Sequence, residues 1–236
     1  MTKVEKIKIL KETNNWLAIH KPAFVPSIAE RGKQTQQPVI EWAKDRYSDP
    51  ILCHRIDRET SGVLLIAKNQ ETHRHISIQF EKRSIKKIYH AVVDSQINWE
   101  NMEVNLPINT EKLNNIKIDK NFGKTALTLF NTIEIFRFYT LMECRPYTGR
   151  LHQIRVHLAS QKACISGDIK YGSKLPMFKQ IKLKFKGDDK PLIDRFALHA
   201  YQLEFKDIDG SDIIVKADYP KDFDIFIKQL RKYNSL

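Results

Sequence analysis

Cysteine is scarce in this chain. Cys53, Cys144 and Cys164 are three among 236 residues, widely spaced and with no Cys-x-x-Cys pair, so they read as buried free thiols rather than a disulfide framework or a thiolate metal site. Long apolar runs are missing too: nowhere do about 18 apolar residues follow one another, as a membrane-spanning helix would need. The N-terminus, Met1-Thr2-Lys3-Val4-Glu5-Lys6, is charged and lacks the apolar centre of a signal peptide. A soluble, cytoplasmic protein without a membrane partner is expected. No low-complexity linker and no internal repeat divides the chain. One domain over residues 1–236, with room for two lobes, is the expected organisation. Metal-ligand spacing is also absent. Among eight histidines the closest pairs are His73 with His75 and His152 with His157; neither has the spacing of a zinc motif and no cysteine or carboxylate cluster sits beside them, so no metal is expected.

Charge of one sign, by contrast, is plentiful. The formal net charge is +12 at pH 7. Clustered Lys and Arg gain free energy by releasing condensed counterions from phosphates, so a polyanionic partner is favoured. Charge alone does not say which one.

The most informative stretch is His54-Arg55-Ile56-Asp57-Arg58-Glu59-Thr60-Ser61-Gly62, which runs into Val63-Leu64-Leu65-Ile66-Ala67-Lys68. It sets a carboxylate among three basic side chains and then enters an apolar segment with the length and branched residues of a buried strand. Cations beside Asp57 would keep it ionised, which suits a nucleophile or a base. A surface loop in which Asp57 and Glu59 make ordinary salt bridges with the arginines fits the same residues.

Around it the chain alternates strand and helix signals. Residues 7–20 read as a hairpin about Asn14-Asn15, ended by Lys21-Pro22. Val39, Ile40, Ala43 and Tyr47 recur at helical spacing after Pro38, and Asn69 is placed to cap a helix over 70–82 that carries Ile76 and Phe80 on one face. Residues 88–93 read as a strand, 101–122 as loop with an extended piece at 116–118, and 125–136 with 138–144 as two antiparallel strands. A helix follows from Leu151 to Ser160, with Leu151, Ile154 and Leu158 as its apolar stripe. Arg155 lies at the stripe's edge, either snorkelling to the surface or paired with a buried anion. Lys179, Lys182, Lys184 and Lys186 enrich the stretch from Lys174 to Lys190, which is either a solvated loop or short hairpin, or a contact for a nucleic-acid backbone. Asp209-Gly210 marks a second hairpin, and Phe223, Ile227, Leu230 and Tyr233 mark a C-terminal helix.

The segment His54 to Gly62 resembles the signature of the RluA-type pseudouridine synthases, His-Arg-Leu-Asp-Arg-x-Thr-Ser-Gly, with Ile56 in the leucine's place. Four further blocks resemble that family in the same order: Lys86 to Val93, Thr148 to Ala159, Gly167 to Gly172, and Arg195 to Ala200. The early Leu-x-Val-x-Asn-Lys-Pro motif is matched by Trp16 to Pro22, with His20 where asparagine is usual. Only a few residues precede it, so the small S4 domain that many relatives carry there is not expected.

The resemblance implies an α+β fold: a mixed, mostly antiparallel sheet with flanking helices and a central cleft. It implies isomerisation of uridine to pseudouridine in ribosomal or transfer RNA, with no cofactor. It assigns Asp57 as the essential carboxylate, Arg155 as the cation that holds it, and Tyr89 as the residue against the uracil ring. Leu198 would wall the base. With the target nucleotide flipped out, Arg55, next to Asp57, would fill the vacated position or bind flanking phosphates, and Arg150, Lys86, Lys87 and the lysine-rich stretch would hold the RNA backbone. For Tyr89 the residues alone equally suit a core aromatic. Two other functions stand beside this one. A catalytically silent RNA-binding module would keep the fold, and a glycoside or nucleoside hydrolase would pair Asp57 with Glu59. A monomer is the default.

Overall fold

A computed structural model of the chain describes residues 6–29, 36–112, 115–182 and 186–236. In chain order its elements are β1 (Lys8–Glu12), β2 (Trp16–Lys21), α1 (Val39–Lys44), β3 (Ile51–Leu52), β4 (Ser61–Ala67), α2 (Gln70–Glu81), β5 (Lys86–Val93) and β6 (Met102–Asn105). There follow β7 (Ile108–Asn109), β8 (Lys117–Ile118), β9 (Leu127–Ile135), β10 (Thr140–Pro146), α3 (Gln153–Ser160), α4 (Phe178–Ile181), β11 (Leu198–Lys206), β12 (Asp212–Lys216) and α5 (Lys221–Tyr233). The class is α+β, as the resemblance implied. Two compact units emerge, one from Met1–Lys87 with His199–Tyr219 and the other from Ile88–Leu198 with Pro220–Leu236.

The first unit is built on β4. All seven of its residues are buried, as are all six of β2, so both faces are covered and the apolar run need not alternate with polar residues. β2 pairs antiparallel with β4 and β1 with β2, while β11 joins β4 in parallel and β12 pairs antiparallel with β11. Trp16, Ala18, Val63, Leu65, Leu203, Phe205 and Val215 pack into one core, on which α2 places Ile76. Asn69 caps α2 by accepting the Thr72 amide at 2.8 Å, as the sequence predicted. The first hairpin is tightened by a residue the sequence did not single out: Thr13 Oγ1 accepts from the amides of Asn15 and Trp16 at 3.2 and 3.1 Å.

Gly62 explains why β11 can lie so near. Its φ is +118°, and a Cβ there would stand 2.1 Å from the Ala200 carbonyl oxygen. No side chain fits that approach.

In the second unit the antiparallel strand order is β5–β10–β9–β6, with β7 and β8 forming a separate pair. β6 falls inside residues 101–122, where the sequence suggested loop. Only Val104 of its four residues is buried, and one apolar anchor on an edge strand leaves too weak an alternation to read. α5 buries Phe223, Phe226, Ile227 and Leu230, each contributing roughly 1.5–3 kcal/mol of apolar burial. The lysine-rich stretch holds the short helix α4 and a bridge between Met177 and Pro191 instead of a plain loop or hairpin; Lys184 lies outside the described residues. Among the described residues no helix is long and apolar enough to cross a membrane.

Replacing Gly62 by alanine is expected to destabilise the protein by about 3 kcal/mol or more, since positive φ and a backbone clash act together. Urea unfolding measures it; a loss under about 1 kcal/mol would contradict the close approach.

Candidate functional site

The acidic loop of the first unit is held by its backbone. Ser27 Oγ donates to the Ile56 carbonyl at 3.0 Å and accepts the Ile56 amide at 3.4 Å. The Thr60 amide closes a turn onto the Asp57 carbonyl at 3.0 Å, and the Phe24 amide binds the Arg58 carbonyl at 2.8 Å. Most telling is Lys21, the last residue of β2 and fully buried. Its ammonium donates to the carbonyls of Pro22, Val25 and Arg58 at 2.8, 2.8 and 3.0 Å. Three acceptors satisfy its three donors. The 22–25 segment and the signature loop are thereby fastened to one cation, and Asp57 sits half-buried between two pinned peptides.

The basic side chains around Asp57 differ from the sequence expectation. His54 is not a cation: Nε2 accepts the Leu65 amide at 3.2 Å, the ring lies 5.2 Å from that of Phe80, and burial together with the nearby Lys87 ammonium pushes its pKa down to about 3. Two arginines, not three basic groups, therefore bring charge to this loop. Arg58 pairs with Glu59 at 3.2 Å on the surface, which occupies the carboxylate that a two-acid hydrolase would need. Arg55 is exposed. Lys86 meets Glu204 at 3.2 Å and is otherwise open to solvent, while burial and the Arg83 cation lower the pKa of Lys87 to about 8.

The second unit contributes a different arrangement. Thr148 Oγ1 donates to Gln153 Oε1 at 2.6 Å, and the Arg150 amide does so at 2.9 Å. Gln153 Nε2 in turn donates to the Leu127 carbonyl and Thr128 Oγ1 at 2.9 and 3.0 Å. Thr128 Oγ1 bonds His157 Nδ1, whose Nε2 donates to the Leu106 carbonyl, each at 2.9 Å. This chain of bonds lets α3 bury residues 153 to 158 without a gap. The expected stripe with Arg155 at its edge is thus too narrow: polar side chains whose bonds are made can be buried on the other faces as well.

Arg155 is among them, with only 7% of its side chain exposed. Its Nε and Nη2 donate to the two carboxylate oxygens of Asp168 at 2.7 and 2.8 Å. The guanidinium also stacks over Phe196, 4.1 Å from the ring centroid, and lies 5.0 Å from that of Tyr171. Snorkelling is excluded and a buried anion is present. Asp168 belongs to a block read from the sequence, but its role was not; an acid beside Gly167, whose φ is +83°, gives no sign of facing a helix thirteen residues earlier. Leu198 is buried, its carbonyl held by Arg195 Nη1 at 3.2 Å, and Arg195 is itself fixed by two bonds to Asp222 at 2.7 and 3.1 Å. Tyr89, half-buried on β5, pairs in register with Cys144. Arg150 Nε donates to the Thr125 carbonyl at 3.1 Å.

These features define an α+β protein with a pinned acidic loop and a buried arginine–aspartate pair. A sequence profile of the family described as RNA pseudouridylate synthase matches residues 15–160, and the chain belongs to that family. It is 38% identical over 157 residues to the ribosomal large subunit pseudouridine synthase C of Vibrio parahaemolyticus, covering 66% of this chain and 47% of that one. To an uncharacterized RNA pseudouridine synthase of Helicobacter pylori it is 37% identical over 184 residues, covering 77% of this chain and 70% of that one. The chain spans about half the length of the Vibrio relative. Among solved structures, human RNA pseudouridylate synthase domain containing 4 matches with a TM-score of 0.76 at 23% identity, over 95% of this chain and 93% of that one, a likeness of fold.

Two outcomes are expected here. Asp168→Ala, which leaves the buried guanidinium without its counter-charge, should cost about 3–5 kcal/mol in chemical unfolding; Arg155→Met with Asp168→Leu should cost clearly less, and equal losses would contradict the pairing. The depressed pKa of His54 contributes stability that is present above the ordinary value of 6.5 and lost as pH falls toward about 3. By NMR its ring should remain neutral at pH 5, and protonation near 6 would show that the ring is not desolvated.

Proposed function

We propose that the protein isomerises uridine to pseudouridine in structured RNA. The reaction breaks the N-glycosidic bond, turns the uracil and joins C5 to C1′, with no net redox change. Such chemistry requires a carboxylate held still against the sugar and base, and a site that keeps water away while the base is detached. The observation that carries the reading is the clamp on the signature loop. Lys21 and Ser27 fix the peptides on either side of Asp57, and family membership supplies the reaction to which a fixed acid is suited.

In this reading Asp57 is the essential carboxylate and Arg155 orients it. The Nε and Nη2 edge of the guanidinium is committed to Asp168, which holds the arginine in one orientation. Tyr89 packs against the uracil, with its phenol available for proton handling at C5, and Leu198 walls the base. No metal or organic cofactor takes part. The target nucleotide is flipped out, at roughly a few kcal/mol of unstacking, and Arg55 takes its place. Arg150, Lys86 and Lys87 hold flanking phosphates, as does the lysine-rich stretch. A relative named for the large ribosomal subunit favours ribosomal RNA over transfer RNA. Neither unit is a continuous segment, which supports treating residues 1–236 as one catalytic domain. A cytoplasmic monomer completes the proposal.

Tritium release from RNA labelled at uridine C5 tests it. Asp57→Asn should reduce release by at least about a thousandfold while leaving the thermal midpoint nearly unchanged, because the side chain is only half-buried. Equal release from both proteins would refute the assignment.

A further inference from the structure

Between β6 and β9 the second unit sends out a small lobe. Its base is locked: Ile108, Ile116 and Ala126 pack with Val156, and Ile108 and Lys124 exchange two backbone hydrogen bonds of 2.9 Å each. Its tip is wound around Asp119. The Asp119 amide donates to the Pro107 carbonyl at 3.0 Å and its own carbonyl accepts the Gly123 amide at 2.9 Å. Oδ1 accepts from the amides of Asn121 and Phe122, and Oδ2 from Asn109 Nδ2, all at 3.0 Å. A Cβ on Gly123 would stand 2.3 Å from the Asp119 carbonyl oxygen, so nothing bulkier closes the turn. The tip is a built structure, not a slack loop.

That structure presents Phe122 to solvent with 76% of its surface exposed. The ring is fixed in place by the turn but not buried in the fold, which leaves its face available to a partner. The surroundings decide which. Lys112, Lys117, Lys120 and Lys124 of the same lobe are all exposed. Arg150 stands where the lobe rejoins β9, bonded to the Thr125 carbonyl. The opposing acids are Asp119, consumed by the turn, and Glu111. An apolar protein groove would be met by more apolar neighbours. One flat ring among cations instead matches a stacked nucleobase whose flanking phosphates are neutralised by lysine.

We infer that this lobe is a stacking finger for single-stranded RNA, taking one unpaired base on the Phe122 ring and its neighbouring phosphates on Lys117, Lys120 and Lys124. It deepens the RNA-modifying reading above and rests on it for the choice of RNA as polyanion. The contact lies outside the residues assigned to the chemistry, so it adds affinity for an unpaired segment of the RNA without altering the reaction.

The test uses the whole chain and a fluorescein-labelled, mixed-sequence single-stranded RNA of about 12 nucleotides, followed by anisotropy at fixed salt. Phe122→Ala should weaken binding roughly 5- to 50-fold, Phe122→Trp should restore it with a change in tryptophan emission, and Phe122→Leu should not. Heparin, a polyanion without bases, should bind Phe122→Ala and the parent alike. Lys120→Ala and Lys124→Ala should each lower the salt slope by about one. The inference is overturned if Phe122→Ala binds the RNA as the parent does, if leucine restores binding as fully as tryptophan, if heparin binding falls equally, or if the parent does not bind the RNA. Loss of pseudouridine formation alone would count against the proposed reaction, since the Phe122 comparison reads binding.

Discussion

A guanidinium removed from water demands an anion with matching geometry, and in the second unit Asp168 meets that demand: two parallel N–H···O bonds to one carboxylate, with Phe196 stacked beneath. Much of the unit follows from the pair. The Asp168 turn is tied to α3, and α3 must be buried on every side, which in turn requires bonds for Gln153 and His157. Replacing such a pair by apolar residues is often neutral for stability, so its value lies in holding one arrangement rather than adding net free energy. An arginine held by both Nε and Nη2 cannot swing. Whatever it faces next, it faces in one orientation.

The first unit solves a related problem with backbone carbonyls. Lys21 carries its charge into the interior and distributes it over three carbonyl oxygens. Backbone carbonyls that would otherwise need water are satisfied, and a loop with little regular structure becomes as defined as the strands beside it. Preorganisation of this kind is what acid-dependent chemistry on a sugar needs, because the reacting carboxylate need not be ordered at the moment of reaction. The neutral His54 next to it fits the same logic: its role is to cap the Leu65 amide, not to bring charge.

Much of the fold was legible because the signals were local. β4 announced itself by a run of apolar residues, α2 by Asn69 and the Ile76–Phe80 spacing, α5 by Phe223, Ile227 and Leu230, and the last hairpin by Asp209-Gly210. What escaped was non-local. β6 has one buried anchor, and only its pairing with β9 makes it a strand. Asp168 was inside a recognised block, yet its partner lies on another element. Lys21 read as the end of a strand, because a single sequence does not reveal that a lysine is buried until the carbonyls that receive it are assembled. The candidate site residues were named through family resemblance; the bonds that hold Asp57's loop and Arg155 in place could not be read from the sequence.

The order of the chain has its own consequence. β4 needs β11 along its Ser61–Gly62 end, yet β11 begins 131 residues after Ala67 by the strand limits, at Leu198. On the ribosome the early half of that unit therefore emerges with an open sheet edge and must wait until the long stretch between the two strands has been made. Closing so long a loop slows folding far more than it weakens the product. The nascent chain is thus exposed to edge-to-edge association during synthesis, and the glycine that later admits the Ala200 carbonyl keeps that waiting edge free of any side chain that would bar the returning strand.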